Sequence, residues 1–338
     1  MDAEQFKLLR LSNQYLLSLA PPRDVVRGLI GLQAQYGAAA LHALRIRASE
    51  EPELSRFVKT WSFRGTLHLS DVADLPLVLY RGSETDFGQM ALTHESLDQT
   101  RCERFRQILL DTLATGNRTR DELKAECLRT GMTEAEAQII LHPWGGLFRA
   151  MAERGEIAYA ADGNRVFTRL SPMEPMGEEQ ALSELMGRYL RHYAPVSLRD
   201  AQTFFGLPQR RLKGLLERTA ADSFSDRGQA YFTSGQQLPS DAALPPVLFL
   251  AGFDQLLLGY RKTENPFLPQ EAIKSVYNNT GIVFPTVLSN GVVSAIWKRT
   301  GNKLELRALR RTGIREKQKI ARKAVDIFGK VAVEWIDK

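Results

Sequence analysis

Two glutamines separated by one residue, Gln33 and Gln35, are the residues whose type and spacing first suggest chemistry. A glutamine side chain has a carbonyl that accepts hydrogen bonds and an NH₂ group that donates them. Two such amides that converge on one point could hold and orient a water molecule. The alternative is that both side chains cap backbone carbonyls or face water, because glutamine is mostly an exposed residue.

The segment around the glutamines decides whether their side chains can serve one site. It begins as an apolar helical run at Gly28 and reaches Gly37 two residues after the second glutamine. A glycine that follows a helix is the usual left-handed terminator, so the glutamines are predicted in the last turn or just beyond it. Residues i and i+2 of a helix do not face each other. Alternate residues of an extended chain do share a side, so the pair needs an extended backbone.

Length and composition limit the class of protein. The chain has 338 residues, 43% hydrophobic and 25% charged, which predicts a globular protein of two or three domains. It has no apolar run of about 18 residues, and acids at the amino terminus replace the basic and apolar stretches of a signal peptide. Cys102 and Cys127 have no CxxC partner, which excludes a disulfide framework or a cysteine-rich zinc site. These features predict a reducing, cytoplasmic setting.

Positive charge is concentrated near the carboxyl terminus. Residues 298–338 contain thirteen Lys/Arg and five Asp/Glu, a net charge of +8 in a chain whose total is +6. A basic segment on a nearly neutral body favours a polyanionic partner. The alternative is a solvated amphipathic helix with no partner.

The order of predicted elements repeats three times, which predicts an α+β, mainly helical fold of three tandem winged-helix domains at 1–95, 96–172 and 173–338. In the first, three short helices precede the strand-like residues 57–69. In the second, a capping box at Thr119 opens a helix pair that precedes a hairpin. In the third, Ser197 opens a helix, a glycine-containing turn follows, and a basic second helix comes next.

Residues 228–338 add strands and a basic helix to the third domain. Asn290-Gly291 predicts a hairpin turn, and Lys298-Arg-Thr-Gly-Asn-Lys303 predicts a basic turn between the next two strands. A helix is predicted at 313–328 and a final strand at 331–335. Asp254 is predicted to be a buried hydrogen-bond acceptor within an apolar segment.

Polar residues at three places could contact DNA phosphates or grooves. They lie in the strand-like residues 57–69, on the basic helix of the third domain and on the basic turn. The candidates are Arg64, His68, Arg210, Arg211, Lys213, Lys298, Arg299 and Lys303. The alternative for His68 is a hydrogen-bonded core histidine, and the alternative for the turn residues is a solvent-exposed loop.

Four stretches resemble, in order, the motifs of a known family. They are Leu32-Gln-Ala-Gln35, Thr60-Trp-Ser-Phe-Arg-Gly-Thr-Leu-His-Leu69, Phe253-Asp-Gln-Leu-Leu-Leu-Gly-Tyr260 and Gly291-Val-Val-Ser-Ala-Ile-Trp297. The second is the most specific. On these motifs the chain resembles the AlkZ-type winged-helix DNA glycosylases, also called the YcaQ-like family.

The resemblance implies a fold and an activity. The family's three winged helices form a C around duplex DNA, and its members excise N7-alkylated purines, in some cases from interstrand crosslinks. It implies that Gln33 and Gln35 are catalytic. Because two amides can hold one water molecule, we assign Gln35 as the main water-positioning residue and Gln33 as its partner. We therefore expect a monofunctional glycosylase without metal or cofactor, acting as a monomer on alkylated double-stranded DNA, in the cytoplasm and on the nucleoid of a bacterium.

Two other functions remain open from the sequence. Winged helices are more often binders than enzymes, so the first is a non-catalytic DNA-binding protein or regulator. The second is a protein that sequesters an alkylating drug. The paired glutamines favour the enzyme over the regulator, and a steep salt dependence of binding would favour either over the drug binder.

Overall fold

The computed structural model describes residues 1–84, 98–142, 146–162, 165–220, 222–226 and 228–336. It has an α+β architecture and divides into two compact units. The first unit comprises Met1–Pro52 and Met186–Lys338, and the second comprises Glu53–Leu185. No helix within the described ranges has the length and apolar content needed to cross a bilayer.

The described elements are numbered in chain order. The helices are α1 (Ala3–Asn13), α2 (Pro22–Gly28), α3 (Gly37–Arg45), α4 (Leu75–Val78), α5 (Gln99–Ala114), α6 (Arg120–Arg129), α7 (Glu134–Ile140), α8 (Gly146–Glu153), α9 (Glu178–Tyr193), α10 (Leu198–Phe205), α11 (Gln209–Thr219), α12 (Gln255–Leu258), α13 (Ile273–Val276) and α14 (Ile314–Phe328). The strands are β1 (Leu32–Gln33), β2 (Phe57–Trp61), β3 (Leu67–Asp71), β4 (Arg118–Thr119), β5 (Ile157–Ala160), β6 (Val166–Arg169), β7 (Val196–Ser197), β8 (Asp222–Asp226), β9 (Gln229–Thr233), β10 (Val247–Leu250), β11 (Thr286–Ser289), β12 (Val292–Thr300), β13 (Lys303–Ala308) and β14 (Ala332–Ile336).

The second unit combines the predicted strand-rich stretch with the predicted second helix pair. Its strands lie in the order β3-β2-β5-β6-β4, and each neighbouring pair is antiparallel. The predicted capping box is confirmed, because the Thr119 hydroxyl accepts from the Glu122 N–H at the start of α6. Phe148 and Phe167 stack with ring centroids 4.8 Å apart, in a core between the helices and this sheet.

Some sequence-based predictions for the second unit fall outside the described residues. They are the kink at Pro143, the hairpin turn at Gly163 and most of the loop expected at 81–95. The helix expected at 134–154 is described as α7 and α8, on either side of residues 143–145.

The first unit contains a helix pair with a three-stranded sheet. Ser197 forms a capping box at the start of α10, and Gly206 ends that helix with φ of 67°. A left-handed residue is sterically costly for any side chain larger than glycine, which explains the glycine at this helix end. The strands lie in the order β7-β9-β8, so the helices and the hairpin follow the predicted order.

A five-stranded sheet with α14 on it completes the first unit. Its order is β10-β11-β12-β13-β14, with β13 and β14 parallel and the other pairs antiparallel. Asn290 and Gly291, both with positive φ, form the predicted hairpin turn. Ile320 and Ala324 of α14 are buried in the core under the sheet. The predicted basic turn is displaced, because Lys298 and Arg299 lie within β12 and only Gly301 and Asn302 connect the strands.

The compact units follow different boundaries from the three predicted segments. The first 52 residues fall into the unit that also contains residues 186–338. Two buried ion pairs join these stretches: Arg10 binds Asp200 at 2.9 Å, and Arg47 binds Asp254 at 2.7 Å. The three winged-helix domains therefore stay a prediction about the order of elements along the chain, with boundaries at 1–95, 96–172 and 173–338. They do not coincide with the two compact units.

Candidate catalytic site and nucleic-acid interface

The glutamine segment follows a sharp turn at the end of α2. The N–H of Gly31 donates to the carbonyl of Val26 at 2.8 Å, and the N–H of Ile30 donates to that of Arg27 at 3.2 Å. This is the double bond pattern of a Schellman helix end, with Ile30 at φ of 57° and Gly31 at φ of 79°. The predicted role of Gly37 was wrong, because it is the first residue of α3 and the helix before the glutamines ends nine residues earlier, at Gly28.

The chain between α2 and α3 presents both glutamines on one side. Leu32 and Ala34 are 1% and 3% exposed, whereas Gln33 is half-buried and Gln35 is exposed. This alternation is that of an extended chain with one face packed inward. Neither glutamine side chain bonds to another residue within the described ranges. Both amides are therefore open to a ligand on the same side of the segment.

Contacts with aromatic residues anchor both ends of this segment. Before it, the Tyr193 hydroxyl donates to the carbonyl of Leu29 at 2.8 Å. After it, Tyr36 stacks on Phe253 with centroids 5.8 Å apart and 25° between the ring planes. Phe253 has a φ of 58°, a left-handed conformation that is uncommon for a bulky residue and marks local strain. The position of the glutamines therefore depends on residues more than 150 positions away in sequence, as the 164-residue separation of Leu29 and Tyr193 illustrates.

A fully buried ion pair fixes the backbone next to Phe253. Both carboxylate oxygens of Asp254 accept from the Arg47 guanidinium, at 2.7 and 3.0 Å. The same carboxylate accepts from the N–H of Leu256 and so caps α12. The prediction that Asp254 is a buried acceptor is confirmed. Its partner Arg47 was missed, because an arginine after a helix usually indicates exposed surface.

His68 lies in the interior of the second unit. It is 0% exposed, and its Nδ1 lies 2.8 Å from the carbonyl of Thr66 and 3.1 Å from the hydroxyl of Ser62. Burial, with the positive charge of Arg64 as a smaller cause, lowers the pKa of His68 to about 3. The structure therefore agrees with the alternative of a hydrogen-bonded core histidine, and the DNA contact of His68 stays a prediction. Arg64 is half-buried, and its contact with DNA stays a prediction.

Because His68 is buried, we expect the folded protein to become less stable in acid. Its folded-state pKa of about 3 lies below the ordinary 6.5, so the unfolded chain binds a proton between these values that the folded protein does not. The contribution of His68 to the free energy of unfolding is fully present above pH 6.5 and is lost as the pH falls towards 3. At pH 5 the loss from this residue is about 2 kcal/mol. Urea unfolding measures the free energy of unfolding at pH 7.5 and at pH 5. Between these pH values it should decrease by about 2 kcal/mol more in wild type than in His68→Gln. Equal drops in the two proteins would contradict the assignment.

The basic candidates of the first unit lie on its surface in two groups. Lys298, Arg299 and Lys303 are exposed on β12 and β13, and Lys303 binds Glu305 at 3.1 Å and Glu334 at 2.8 Å. On α11, Arg210 and Lys213 are exposed, Arg211 is half-buried, and Lys213 lies 3.7 Å from Glu217. Exposure agrees with a role in phosphate contact, which stays a prediction for both groups.

One cavity is lined both by Tyr36, the residue after Gln35, and by the first of these groups. It has a volume of about 1270 Å³, and Tyr36, Lys298 and Arg299 are among its lining residues. The residues of α11 do not line it. No cluster of His, Cys, Asp and Glu suited to a metal ion was found in the part of the chain that the structure describes.

A profile of the family described as DNA glycosylase AlkZ-like matches residues 26–327 of this chain. The chain therefore belongs to the AlkZ-like family of DNA glycosylases.

Two comparisons with particular proteins agree with this assignment. The chain is 24% identical over 317 residues to a Streptomyces sahachiroi protein named Interstrand DNA cross-link repair glycosylase, covering 86% of this chain and 85% of that protein. Its fold is similar to the solved structure of Streptomyces sahachiroi DNA glycosylase AlkZ, with a TM-score of 0.75 and 19% identity. That alignment covers 99% of this chain and all of the other, and at this identity it shows a shared fold.

Proposed function

We propose that this protein is a monofunctional DNA glycosylase that hydrolyses the N-glycosidic bond of N7-alkylated purines in duplex DNA and leaves an abasic site. The observation that supports it most strongly is the pair of amides on one open side of an extended, anchored segment. In a family of DNA glycosylases, such a pair has a clear use at the reacting sugar.

The chemistry of the lesion explains why neutral side chains are sufficient. An N7-alkylated purine is already cationic, so its departure neutralises the base and needs no general acid. The transition state resembles an oxocarbenium ion, which hydrogen-bond acceptors aimed at the sugar stabilise. Gln35, the more exposed amide, positions the attacking water, and Gln33 holds the same water or the sugar from the same side. Undamaged purines lack this leaving-group activation and are poor substrates.

The catalytic step uses only groups of this chain and water. The glycosidic bond breaks with its electron pair going to the departing base, which becomes neutral. Water adds to the anomeric carbon and loses one proton to the solvent, which leaves the free base and an abasic sugar. No lysine Schiff base takes part, so the phosphodiester strand stays intact. The same reaction at either end of a purine–purine crosslink would unhook it. The name of the Streptomyces sahachiroi relative refers to the repair of interstrand DNA cross-links.

We propose that duplex DNA binds across the helix pairs and hairpins of three tandem winged-helix segments. Helix α11, with Arg210 and Arg211, follows a helix and a left-handed turn, as the second helix of a helix-turn-helix does. The exposed Lys298 and Arg299 of β12 supply positive charge on the strand that borders the cavity beside the glutamine segment. The first of these contacts orients the duplex, and the second brings its backbone to the reacting site.

Single-turnover release of 7-methylguanine from a duplex oligonucleotide tests the proposed function. Wild type should release the methylated base, leave an abasic site that alkali cleaves, and release no undamaged guanine. The same assay on a crosslinked duplex tests unhooking. Tight binding to both duplexes without release of base from either would favour a non-catalytic DNA-binding protein instead.

Substitutions of two lysines should distinguish an exposed lysine from one whose positive charge is balanced by two carboxylates. Lys298 is exposed, whereas Lys303 is held by two carboxylates, whose contact raises its pKa. Lys298→Ala should therefore weaken duplex binding and reduce the slope of log affinity against log salt by about 1. Lys303→Ala should change that slope much less. Titration of a labelled duplex at several salt concentrations measures both slopes. A slope in Lys298→Ala that equals the wild-type slope would exclude Lys298 from the interface.

A further inference from the structure

The motif Phe253–Tyr260 contacts the chain on both sides of the glutamines. After the glutamines, Phe253 stacks on Tyr36 with ring centroids 5.8 Å apart. Before them, the motif acts through Tyr193 at the end of α9, whose hydroxyl donates to the carbonyl of Leu29 at 2.8 Å. A single short motif therefore holds both ends of a segment from which it is distant in sequence.

Three residues of the motif fix the position of Tyr193. The Oε1 atom of Gln255, a residue that is 1% exposed, lies 3.1 Å from the Tyr193 hydroxyl. The Tyr260 hydroxyl donates to the carbonyl of Tyr193 at 2.9 Å. Gly259 provides room for the ring, because a Cβ atom at this position would lie 2.4 Å from two of the ring carbons. The fold itself therefore sets the direction in which the Tyr193 hydroxyl points.

The carbonyl of Leu29 requires a hydrogen-bond donor from outside its own helix. Leu29 immediately follows α2, and the last carbonyls of a helix have no partner within that helix. Leu29 is 0% exposed, so bulk solvent does not supply the donor. A buried carbonyl that loses its donor costs free energy, which favours a rearrangement of the backbone. The Tyr193 hydroxyl prevents this cost, since Leu29 is the nearer of the two acceptors described here.

The residue after Leu29 is in a strained conformation. Ile30 has a φ of 57°, which is disfavoured for a β-branched side chain. Such strain persists only where the surrounding contacts determine the backbone. Gln33 and Gln35 follow on the extended chain directly after this turn. A change of backbone at Leu29 and Ile30 therefore changes where both amides point.

We propose that Tyr193 is a positioning residue for the two glutamines and that Gln255 orients its hydroxyl. This inference rests on the proposed glycosylase function and adds a buried residue on which the rate of that reaction depends. Tyr193 is 0% exposed and acts through the backbone of Leu29. A displacement of about 1 Å can lower the rate of a positioned reaction about 10²-fold. Loss of the hydroxyl should therefore lower the rate of base release without weakening duplex binding.

A second buried tyrosine on the same helix provides a matched control. Tyr193→Phe removes the hydroxyl and keeps the ring. Tyr189 is also 0% exposed, and its hydroxyl donates to the carbonyl of Gly259 at 2.9 Å. Tyr189→Phe therefore removes the same kind of buried hydrogen bond, but from a carbonyl outside the glutamine segment. Thermal unfolding should show a similar loss of stability in the two variants.

The two variants should differ in the rate of the chemical step. Tyr193→Phe should lower single-turnover release of 7-methylguanine about tenfold at unchanged duplex affinity, whereas Tyr189→Phe should release base at the wild-type rate. Gln255→Met, which removes the second acceptor but fills the same space, should lower the rate about threefold. In a Gln35→Ala background, Tyr193→Phe should lower the remaining rate by less than about twofold, because the amide that it positions is absent.

Hydrogen exchange tests the same contact without any substrate. The backbone amides of residues 30–36 should exchange faster in Tyr193→Phe than in wild type, because the turn before the glutamines opens more often. Tyr189→Phe should leave the exchange of these amides at the wild-type rate. Mass spectrometry of peptides from the intact protein measures both.

The outcomes separate this inference from the function on which it rests. If wild type releases no 7-methylguanine, the proposed function is wrong, and hydrogen exchange alone then decides whether Tyr193 holds the segment. Equal exchange of residues 30–36 in the two tyrosine variants overturns the inference. Equal rates of base release in these variants overturn it as well, as does a tenfold effect of Tyr193→Phe that persists in the Gln35→Ala background.

Discussion

Replacing Gln35 by alanine is expected to lower the single-turnover rate of 7-methylguanine release by about 10² to 10³-fold, with duplex affinity unchanged. Gln35 is the exposed member of the pair, and an amide there can hold a water molecule against the sugar. Alanine leaves the extended backbone in place and removes the donor and the acceptor. Gln33→Ala, at the half-buried position, should lower the rate by a smaller factor.

Rapid-quench measurement of base release, with enzyme in excess over a duplex, gives the rate of the chemical step. Binding is measured separately by fluorescence anisotropy with the same duplex. Gln138→Ala is the control, because Gln138 is an exposed glutamine on α7, in the compact unit that does not contain the pair. It should release base at the wild-type rate.

Two results would contradict the assignment of Gln35. One is a rate that stays within about threefold of wild type in Gln35→Ala, since loss of a preorganised hydrogen-bonding group costs far more than this. The other is a loss of rate that matches a loss of duplex affinity, which would make Gln35 a binding residue.

Asp254→Ala is expected to reduce the free energy of unfolding by about 3 to 5 kcal/mol, the largest stability effect that we predict. Asp254 and Arg47 are both 0% exposed in their side chains and share two hydrogen bonds. Removing the carboxylate leaves a buried guanidinium charge without its counterion. It also removes the acceptor that caps α12 at Leu256, which adds about 1 kcal/mol to the loss.

An exposed ion pair a few residues away provides the control for Asp254. Arg45 binds Glu51 at 2.6 Å, but more than half of each side chain is exposed. Glu51→Ala should therefore cost less than about 1 kcal/mol. Urea unfolding of wild type and both variants at pH 7 measures the difference. Similar midpoints for the two variants would mean that burial does not set the strength of the Arg47–Asp254 interaction.

The aromatic contacts next to Asp254 extend this prediction to the active site. Phe253 precedes the carboxylate in sequence and stacks on Tyr36, which follows Gln35. Loss of the ion pair should therefore disturb the glutamine segment before the whole protein unfolds. Under conditions where Asp254→Ala remains folded, its base release should still be slower than that of Glu51→Ala.

Short-range signals in the sequence correctly indicated much of the local structure. The capping box at Thr119, the helix start at Ser197, the turn at Gly206 and the turn at Asn290-Gly291 depend on backbone preferences within a few residues. The same reasoning showed that the two glutamines need an extended chain in order to share a side. These features are local, so the sequence by itself was sufficient to predict them.

Local signals placed the end of the glutamine helix wrongly. Gly37 looked like its terminator, but Ile30 and Gly31 adopt the left-handed turn. A β-branched residue is disfavoured in that conformation, so no local preference indicated Ile30. Tertiary contacts hold it there, including the bond from Tyr193 to Leu29.

Only the tertiary structure decided the surroundings of the catalytic candidates. Arg47 and Asp254 are 207 residues apart, and the cavity draws its walls from α3, β12 and α14. His68 likewise looked available to DNA until its burial was visible. The identity of a residue limits which bonds it can make, whereas its burial and its partners depend on which distant segments pack against it. The sequence by itself therefore determined the residues able to do the chemistry, and the packing of distant segments decided which of them face an open site.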